Sequence, residues 1–282
     1  MDKILVTGGC GFIGSSFIRR VVNNEKVHVT NVDILTYSGN PKNLASIEDS
    51  ERYTFAKVDI RDRDSIFNLC KDVNYIVNFA AESHVDRSIL EPEIFISTNI
   101  LGTSVLLDAA NEFGCRMVQV STDEVYGSLN EDSLPSKESD YLLPSSPYSS
   151  SKASADLICL SYFKTFDTDI SITRCTNNYG PYQYPEKLIP TLISKALNND
   201  PLPLYGDGRN IRDWIFVDDH SNAIWNVLLN GNAGKIYNVG GDNQRRNIEI
   251  SQIILDILGD RSSSKIKYIK DRPGHDWRYA VD

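Results

Sequence analysis

The sequence predicts an α/β fold: a doubly wound parallel sheet followed by a smaller, loop-rich α/β lobe on its C-terminal side. Two observations predict it. Through the first 176 residues, short Val- and Ile-rich runs alternate with helix-length stretches, the rhythm of a parallel sheet whose strands are buried on both faces by helices. Beyond Arg174 that rhythm breaks into segments dense in Tyr, Pro, Asn and Gly, which read as loops held on a scaffold, where binding groups collect.

The expected strands are Lys3–Thr7, Val27–Val32, Tyr53–Val58, Tyr75–Phe79, Arg116–Ser121 and Asp169–Thr173, with helices at Phe12–Asn23, Ile94–Phe113 and Tyr148–Phe166. Residues 1–176 form the expected sheet domain. Residues 177–211 and 241–282 form the expected lobe, and 212–240 return to the sheet. Within the lobe, Asn177–Pro190 and Asn199–Asp213 read as loops around one short helix near Leu188–Leu197, and Ser262–Ser264 as a polar turn.

With 282 residues, 41% hydrophobic and 24% charged, the chain has the make-up of a globular protein with a sizeable core. Its apolar runs look strand-length, so no membrane span is expected. Met1–Val6 runs straight into a strand with no leader-like pattern, and a cytoplasmic location is expected. A net charge of −9 argues against a nucleic-acid partner. Cys10, Cys70, Cys115, Cys159 and Cys175 are scattered and odd in number, with no pair at C-x-x-C spacing. They read as reduced thiols, not as a disulfide framework or a zinc site.

The first strand leads into Gly8-Gly9-Cys10-Gly11-Phe12-Ile13-Gly14 and then a helix. Glycines at 8, 11 and 14 let the backbone turn tightly, approach a pyrophosphate and pack the helix on the sheet. The helix N-terminus offers unpaired N–H groups and partial positive charge to the phosphates. A glycine triplet alone is a weak signal, and its place between the first strand and the first helix gives it weight. Asp33 ends the second strand about 20 residues on, where a carboxylate accepts both adenosine ribose hydroxyls and repels a 2′-phosphate. No arginine follows in Ile34–Gly39. The expected cofactor of this Rossmann-type sheet is therefore NAD and not NADP. Asp59, after the third strand, can reach the adenine edge, though an aspartate there equally suits an ordinary turn.

Ser146 and Pro147 suit a helix N-cap and first turn, and Tyr148-Ser149-Ser150-Ser151-Lys152 follows. Four residues apart, the phenol and the ammonium share a helical face. The cation is expected to lower the tyrosine pKa and make it a general base for a hydroxyl whose carbon loses hydride. Upstream, the fifth strand ends in Ser121-Thr122-Asp123-Glu124-Val125-Tyr126-Gly127. Thr122 can hydrogen-bond the same substrate oxygen. A plain oxidoreductase has no need of Asp123 and Glu124 at the carboxyl end of that strand. They read either as an acid and a base with split pKa values or as a solvated loop pair.

Taken together, Thr7–Gly14, Thr122-Asp123-Glu124 and Tyr148-x-x-x-Lys152 resemble the extended short-chain dehydrogenase/reductase superfamily, and within it the dTDP-glucose 4,6-dehydratases. The likeness continues through Ala80–Ser88, Asn177–Leu188, Tyr205–Gly208, Arg212–Trp214 and Arg272–Asp276, nearly the whole chain. The resemblance implies a lyase acting on a nucleoside-diphosphate sugar, with NAD reduced and reoxidised within each turnover. It implies that Tyr148, with Lys152 and Thr122, takes the O4 proton during hydride loss from C4. Glu124 then removes the C5 proton, and Asp123 protonates the departing C6 hydroxyl.

Carried over by motif, Phe12, Ile13, Leu35, Thr36, Ile60, Ala80, Ala81, Thr98 and Asn178 join the glycines and Asp33 at NAD. Ser83, Asn177, Lys187, Leu188, Pro203, Tyr205, Arg212, Asn247 and His275 are implied at the sugar nucleotide. Lys187 and Arg212 supply the charge-assisted donors that a diphosphate needs. His84 and Asp86 look like metal ligands, but nothing completes a set, so no metal is expected. The resemblance also implies a homodimer built from the two long helical stretches, both apolar on more than one face.

A thymidine or a uridine base is compatible with these motifs. Sugar-nucleotide epimerases and decarboxylases share the glycines, Tyr148 and Lys152 but lack the Thr-Asp-Glu run. A catalytically silent NAD-binding regulator is a further reading of the same fold. Relatives usually continue past Arg272–Asp276 with further helix, whereas this sequence stops at Asp282, so a shortened lobe that closes less securely is expected.

Overall fold

The computed structural model describes residues 1–282. The chain runs β1 (Asp2–Thr7), α1 (Phe12–Asn24), β2 (Val27–Val32), β3 (Tyr53–Ala56), α2 (Arg63–Cys70), β4 (Tyr75–Asn78), α3 (Val85–Leu90), α4 (Pro92–Phe95), α5 (Thr103–Phe113), β5 (Arg116–Thr122), α6 (Pro147–Phe166), β6 (Ile170–Cys175), β7 (Asn177–Tyr179), α7 (Leu188–Leu197), β8 (Leu202–Tyr205), β9 (Ile211–Phe216), α8 (Val217–Asn230), β10 (Ile236–Val239), β11 (Gln244–Arg246), α9 (Asn247–Leu258) and β12 (Ile266–Ile269).

Seven strands form one parallel sheet in the order β10-β6-β5-β4-β1-β2-β3. Along β1, side chains alternate between two cores, as the period of two demands. Ile4 and Val6 face Phe17, Ile18 and Val21 of α1 and Trp225 and Leu228 of α8. Leu5 faces the opposite layer, with Ile66 of α2, Leu106 and Ala110 of α5 and Cys159 of α6. The sheet is thus doubly wound. The order reverses between β4 and β1, which opens a crevice at the carboxyl ends of the strands. Each fully buried aliphatic side chain here contributes roughly 1.5–3 kcal/mol, and Ile76→Ala between the layers would cost about 2–5 kcal/mol.

The predicted strands and helices are present within a few residues at each end. Two expectations need correction. Asn199–Asp213 and the start of Asn177–Pro190 are not loops throughout. They contain β8, β9 and β7, which form a parallel β8–β12 pair and a three-stranded β11-β9-β7 sheet. The pattern was hidden because Pro203 and Tyr205 interrupt the apolar run of β8. Likewise, α8 and β10 join the large sheet, while β9 pairs outside it.

The expectation of strand-length apolar runs also misses Pro92–Phe113. That stretch is long and apolar enough to cross a membrane by length and composition, but half of it is buried in this structure. It is not one regular helix, because Ile96–Gly102 winds as a π-helix between α4 and α5, a form that concentrates at functional sites.

Candidate active site

The crevice is a cavity of about 320 Å³ lined from the glycine loop to the start of the lobe. Gly8 has φ +68°, and a Cβ added there would stand 2.6 Å from the backbone nitrogen of Ala80. Any side chain would therefore push apart the two strand ends that floor the crevice. Gly11, Phe12, Ile13 and Gly14 line the same wall, and Ser15 N–H closes on the Gly11 carbonyl as α1 begins.

Asp33 is nearly buried and takes one backbone N–H on each carboxylate oxygen, Cys10 at 2.9 Å on Oδ2 and Leu35 at 2.8 Å on Oδ1. Each oxygen keeps a lone pair for a second donor. Burial pushes its pKa up, and the two N–H groups oppose that rise. A dinucleotide fits this wall: glycines where a phosphate approaches the backbone, and a carboxylate where the ribose lies.

Asp59, Ile60, Thr36, Ala80, Ala81, Thr98 and Asn178 also line the cavity. Asp59 is held by Arg61, with Nε at 3.0 Å and Nη2 at 2.5 Å, and this pair lowers its pKa. Leu35 does not line the cavity. Its φ of +60° turns the side chain onto the core beside α1, so any contact with a cofactor would come from its backbone.

Ser146 caps α6 reciprocally with Ser149, which fixes the first turn and so the direction of Tyr148. Tyr148 is 8% exposed. Lys152 donates its ammonium to the Val120 carbonyl at 2.7 Å. The expectation of a lowered phenol pKa is corrected here. Burial raises it well above the ordinary value, the negative charge of Glu124 adds to the rise, and the neighbouring Thr122 hydroxyl opposes it. Lys152 itself is pushed down by burial, against the pull of Asp156.

Thr122 caps a single 3₁₀ turn, Asp123–Tyr126, by accepting the Glu124 N–H at 3.3 Å. Asp123 is buried, and its Oδ2 has no hydrogen-bond partner. Burial and then the Glu124 charge raise its pKa well above the carboxylate range, which excludes the solvated-pair reading. Burial raises Glu124 as well, while Arg212, Arg272 and Lys187 hold it down. The two carboxyl groups thus sit in environments that pull them apart.

Of the residues implied at the substrate, Ser83, Thr122, Asn177 and Lys187 line the cavity, and Lys187 Nζ donates to the Ser83 carbonyl at 3.0 Å. Leu188, Pro203, Tyr205, Arg212, Asn247 and His275 lie outside that lining. Leu188 opens α7, Pro203 and Tyr205 sit on β8, and Asn247 opens α9 with its Oδ1 buried and unpartnered. Arg212 is docked on the Asp276 carbonyl at 3.0 Å and lies over the Tyr279 ring. His275 Nδ1 is 2.6 Å from Asp271, with its ring against Tyr205.

His84 accepts the Arg87 N–H at 3.4 Å and stands 3.7 Å from Glu186, and Asp86 pairs with Arg272 at 3.2 Å. The motif reading missed Arg61, Glu82, Glu186 and Cys175 in the cavity wall, and it missed Tyr279, whose phenol is raised by burial and by the Glu124 charge. Arg61 and Glu186 adjoin singled-out positions in the chain. Tyr279 carries no local signal and is brought in only by the C-terminal segment.

Residues 5–282 match the GDP-mannose 4,6-dehydratase family. The chain belongs to that family. This member is 45% identical to dTDP-glucose 4,6-dehydratase 1 of Escherichia coli K12, over 99% of its own length and 85% of the relative's. It is 48% identical to the low-salt glycan biosynthesis protein Agl12 of Haloferax volcanii, over 99% and 89%. The crystal structure of DesIV, a dTDP-glucose 4,6-dehydratase of Streptomyces venezuelae with NAD and TYD bound, superposes with a TM-score of 0.95 at 47% identity, covering 99% of this family member and 88% of DesIV.

Proposed function

We propose that the chain is an NAD-dependent dTDP-glucose 4,6-dehydratase that converts dTDP-glucose to dTDP-4-keto-6-deoxyglucose. The observation that carries the reading is the pair of Asp123, buried, and Glu124, half-buried, split in environment on the turn beside Tyr148. An epimerase or a simple dehydrogenase has no use for that pair. When bound, NAD supplies a hydride acceptor that takes hydride from C4 and returns it to C6, so the net reaction is loss of water.

Tyr148 is a base only as the phenolate, and it takes the O4 proton once the Lys152 cation and bound NAD offset the burial that raises its pKa, with Thr122 donating to the same oxygen. A ketone at C4 acidifies C5, and Glu124, whose ionised form three nearby cations favour against its burial, removes the C5 proton. Asp123, whose protonated form is favoured by burial and by the Glu124 charge, gives its proton to the C6 hydroxyl, which leaves as water. Glu124 then returns a proton to C5, and the acids are reset from solvent. Gly8, Gly11, Phe12, Ile13, Gly14, Asp33, Thr36, Asp59, Ile60, Ala80, Ala81, Thr98 and Asn178 are assigned to the cofactor, with the Leu35 backbone beside them. Ser83, Asn177 and Lys187 are assigned to the diphosphate sugar, with Leu188, Pro203, Tyr205, Arg212, Asn247 and His275 at its nucleotide end once the lobe closes.

The assigned units are a cofactor domain of residues 1–176 rejoined by α8 and β10, and a substrate lobe of 177–211 and 241–282 joined by β9. The working form is assigned as a homodimer, because Ile96 and Leu101 on the π-helical segment and Leu157 on α6 each expose more than half their surface. Five free, buried cysteines suit a reducing cytoplasm. The deciding experiment supplies dTDP-glucose or UDP-glucose deuterated at C4. A dehydratase delivers the label to C6 of a 4-keto product, with dTDP-glucose turned over faster. Label retained at C4, or no product, rejects the assignment.

A further inference from the structure

Beneath the two catalytic elements lies a buried polar chain that the reaction itself does not use. Arg174 of β6 and Asp156 of α6 form an ion pair at 2.9 Å, with side chains 2% and 0% exposed. The other arm of the guanidinium, Nη1, donates to the Tyr126 phenol oxygen at 2.9 Å, and its plane lies over the Tyr126 ring, 4.8 Å from the centroid. The phenol donates onward to Asn238 Oδ1 on β10 at 2.8 Å, and Asn238 Nδ2 donates to the Ser136 carbonyl at 2.9 Å.

The ends of this chain are informative. Asp156 lies one turn past Lys152 on the helix that carries Tyr148. Tyr126 closes the 3₁₀ turn that carries Asp123 and Glu124. Val125, Tyr126 and Ala153 pack as an apolar contact between the same two elements. That contact holds them together without fixing their register, since dispersion is non-directional. A bifurcated guanidinium has fixed directions. A buried ion pair adds little net stability, so it is better accounted for by geometric specificity than by stability.

We propose that Arg174 and Tyr126 are positioning residues that hold the Asp123–Glu124 turn in register with the Tyr148–Lys152 face of α6, so that one bound sugar meets both pairs. The proposal rests on the dehydratase reading. It separates the two halves of the reaction. Hydride and proton removal at C4 depend on α6 and the cofactor cleft. Water loss across C5–C6 depends on the turn. Loosening the turn slows the second half alone.

The test is single-turnover kinetics on Tyr126→Phe, which keeps the ring and its packing and removes one hydroxyl. The near-ultraviolet absorbance of reduced nicotinamide reports C4 oxidation, and product analysis reports water loss. We expect kcat to fall roughly tenfold with KM within about twofold of wild type, the pattern of an interaction made in the transition state. We also expect enzyme-bound reduced cofactor to build up well beyond the wild-type transient. Arg174→Lys, which keeps the charge facing Asp156 and loses the second arm, is expected to build up reduced cofactor in the same way.

Unchanged turnover in Tyr126→Phe overturns the proposal. So does a loss of turnover with no build-up, because a merely structural role slows both halves alike. If Arg174→Lys does not fold, Tyr126→Phe decides alone. Failure of the functional assignment is separately visible, as wild-type protein would then give no 4-keto-6-deoxy product.

Discussion

Lys152 is anchored to the carbonyl oxygen of Val120 at 2.7 Å, on the strand that ends in Thr122. The ammonium is therefore tied to the strand, not free to follow the phenol one turn away. Its role follows from position: a buried cation one helical turn from Tyr148 that favours negative charge forming nearby. Lys152→Met removes that charge and the hydrogen bond to the Val120 carbonyl. We predict that kcat falls on the order of 10²-fold or more, with a smaller effect on folding. Steady-state turnover beside a thermal melt checks both.

The raised pKa of Asp123 sets the sign of a pH effect. The protonated form is the acid, so activity is lost as pH rises through that raised value, and the alkaline limb of the rate profile belongs in part to Asp123. The stability sign runs the same way. A carboxyl whose folded pKa lies above its unfolded value favours the fold at low pH and opposes it once ionised. Asp123→Asn keeps the shape and never ionises. We predict lost turnover together with a melting temperature raised at pH 8, the gap closing towards pH 4. A melting temperature that falls equally at both pH values would contradict the buried, neutral carboxyl.

Much of this was legible in the chain, because the features concerned are local. The strand–glycine–helix unit, the Ser146 cap and the helical spacing of Tyr148 and Lys152 are each specified within a few residues, and each stands where the sequence puts it. What failed was long-range. A phenol pKa lowered by its neighbour was a reasonable inference from spacing, but Val120 competes for the ammonium and burial dominates. β8 and the start of β9 fall in a segment that reads as a loop, because Pro201, Pro203, Gly206 and Gly208 punctuate it and leave no continuous apolar run. Tyr279 comes within the influence of the Glu124 charge through the fold alone.

Asp33 is held by two backbone donors and by one close approach. A Cβ on Gly39 would stand 2.9 Å from Asp33 Oδ1. Gly39→Ala is therefore predicted to push the carboxylate off its ribose-facing position without altering its charge. NAD affinity should weaken by roughly tenfold, equivalent to about 1.4 kcal/mol, while the preference for NAD over NADP is retained. Asp33→Ser removes the charge and should shrink that preference. Calorimetric titration with both dinucleotides separates the two effects. Equal affinity of wild type and Gly39→Ala for NAD would remove Gly39 from the argument.

The exposed apolar face over α4–α6 gives a prediction about assembly. Ile96, Leu101 and Leu157 are 56%, 53% and 57% exposed, and Ile96, Ile100, Leu101 and Ile158 line a shallow groove along it. We predict that this face meets its own copy across a two-fold axis, where the same patch on both subunits is self-complementary. Leu157→Glu places a charge in that contact and should give a monomer by light scattering at micromolar concentration. A wild-type protein that is already monomeric would refute the dimer.

His220 is fully buried on α8, with Nδ1 2.9 Å from Asn178 Oδ1 and no partner for Nε2. Burial lowers its pKa to about 3, so it is neutral in the fold at every working pH. The unfolded chain binds a proton on this ring near pH 6.5. A depressed folded pKa means that the stabilising difference is present above that value and lost as pH falls from it towards 3. His220→Gln keeps a side-chain donor for Asn178 and cannot charge. We predict that the wild type loses stability more steeply than His220→Gln between pH 6.5 and 4, as read from denaturant midpoints. Asn178 lines the cavity, so the same variant reports on the site: if the His220 contact sets its orientation, NAD affinity in His220→Gln stays near wild type, whereas His220→Leu, which cannot donate, weakens it. Parallel acid limbs for wild type and His220→Gln would mean that the ring is not the group that titrates.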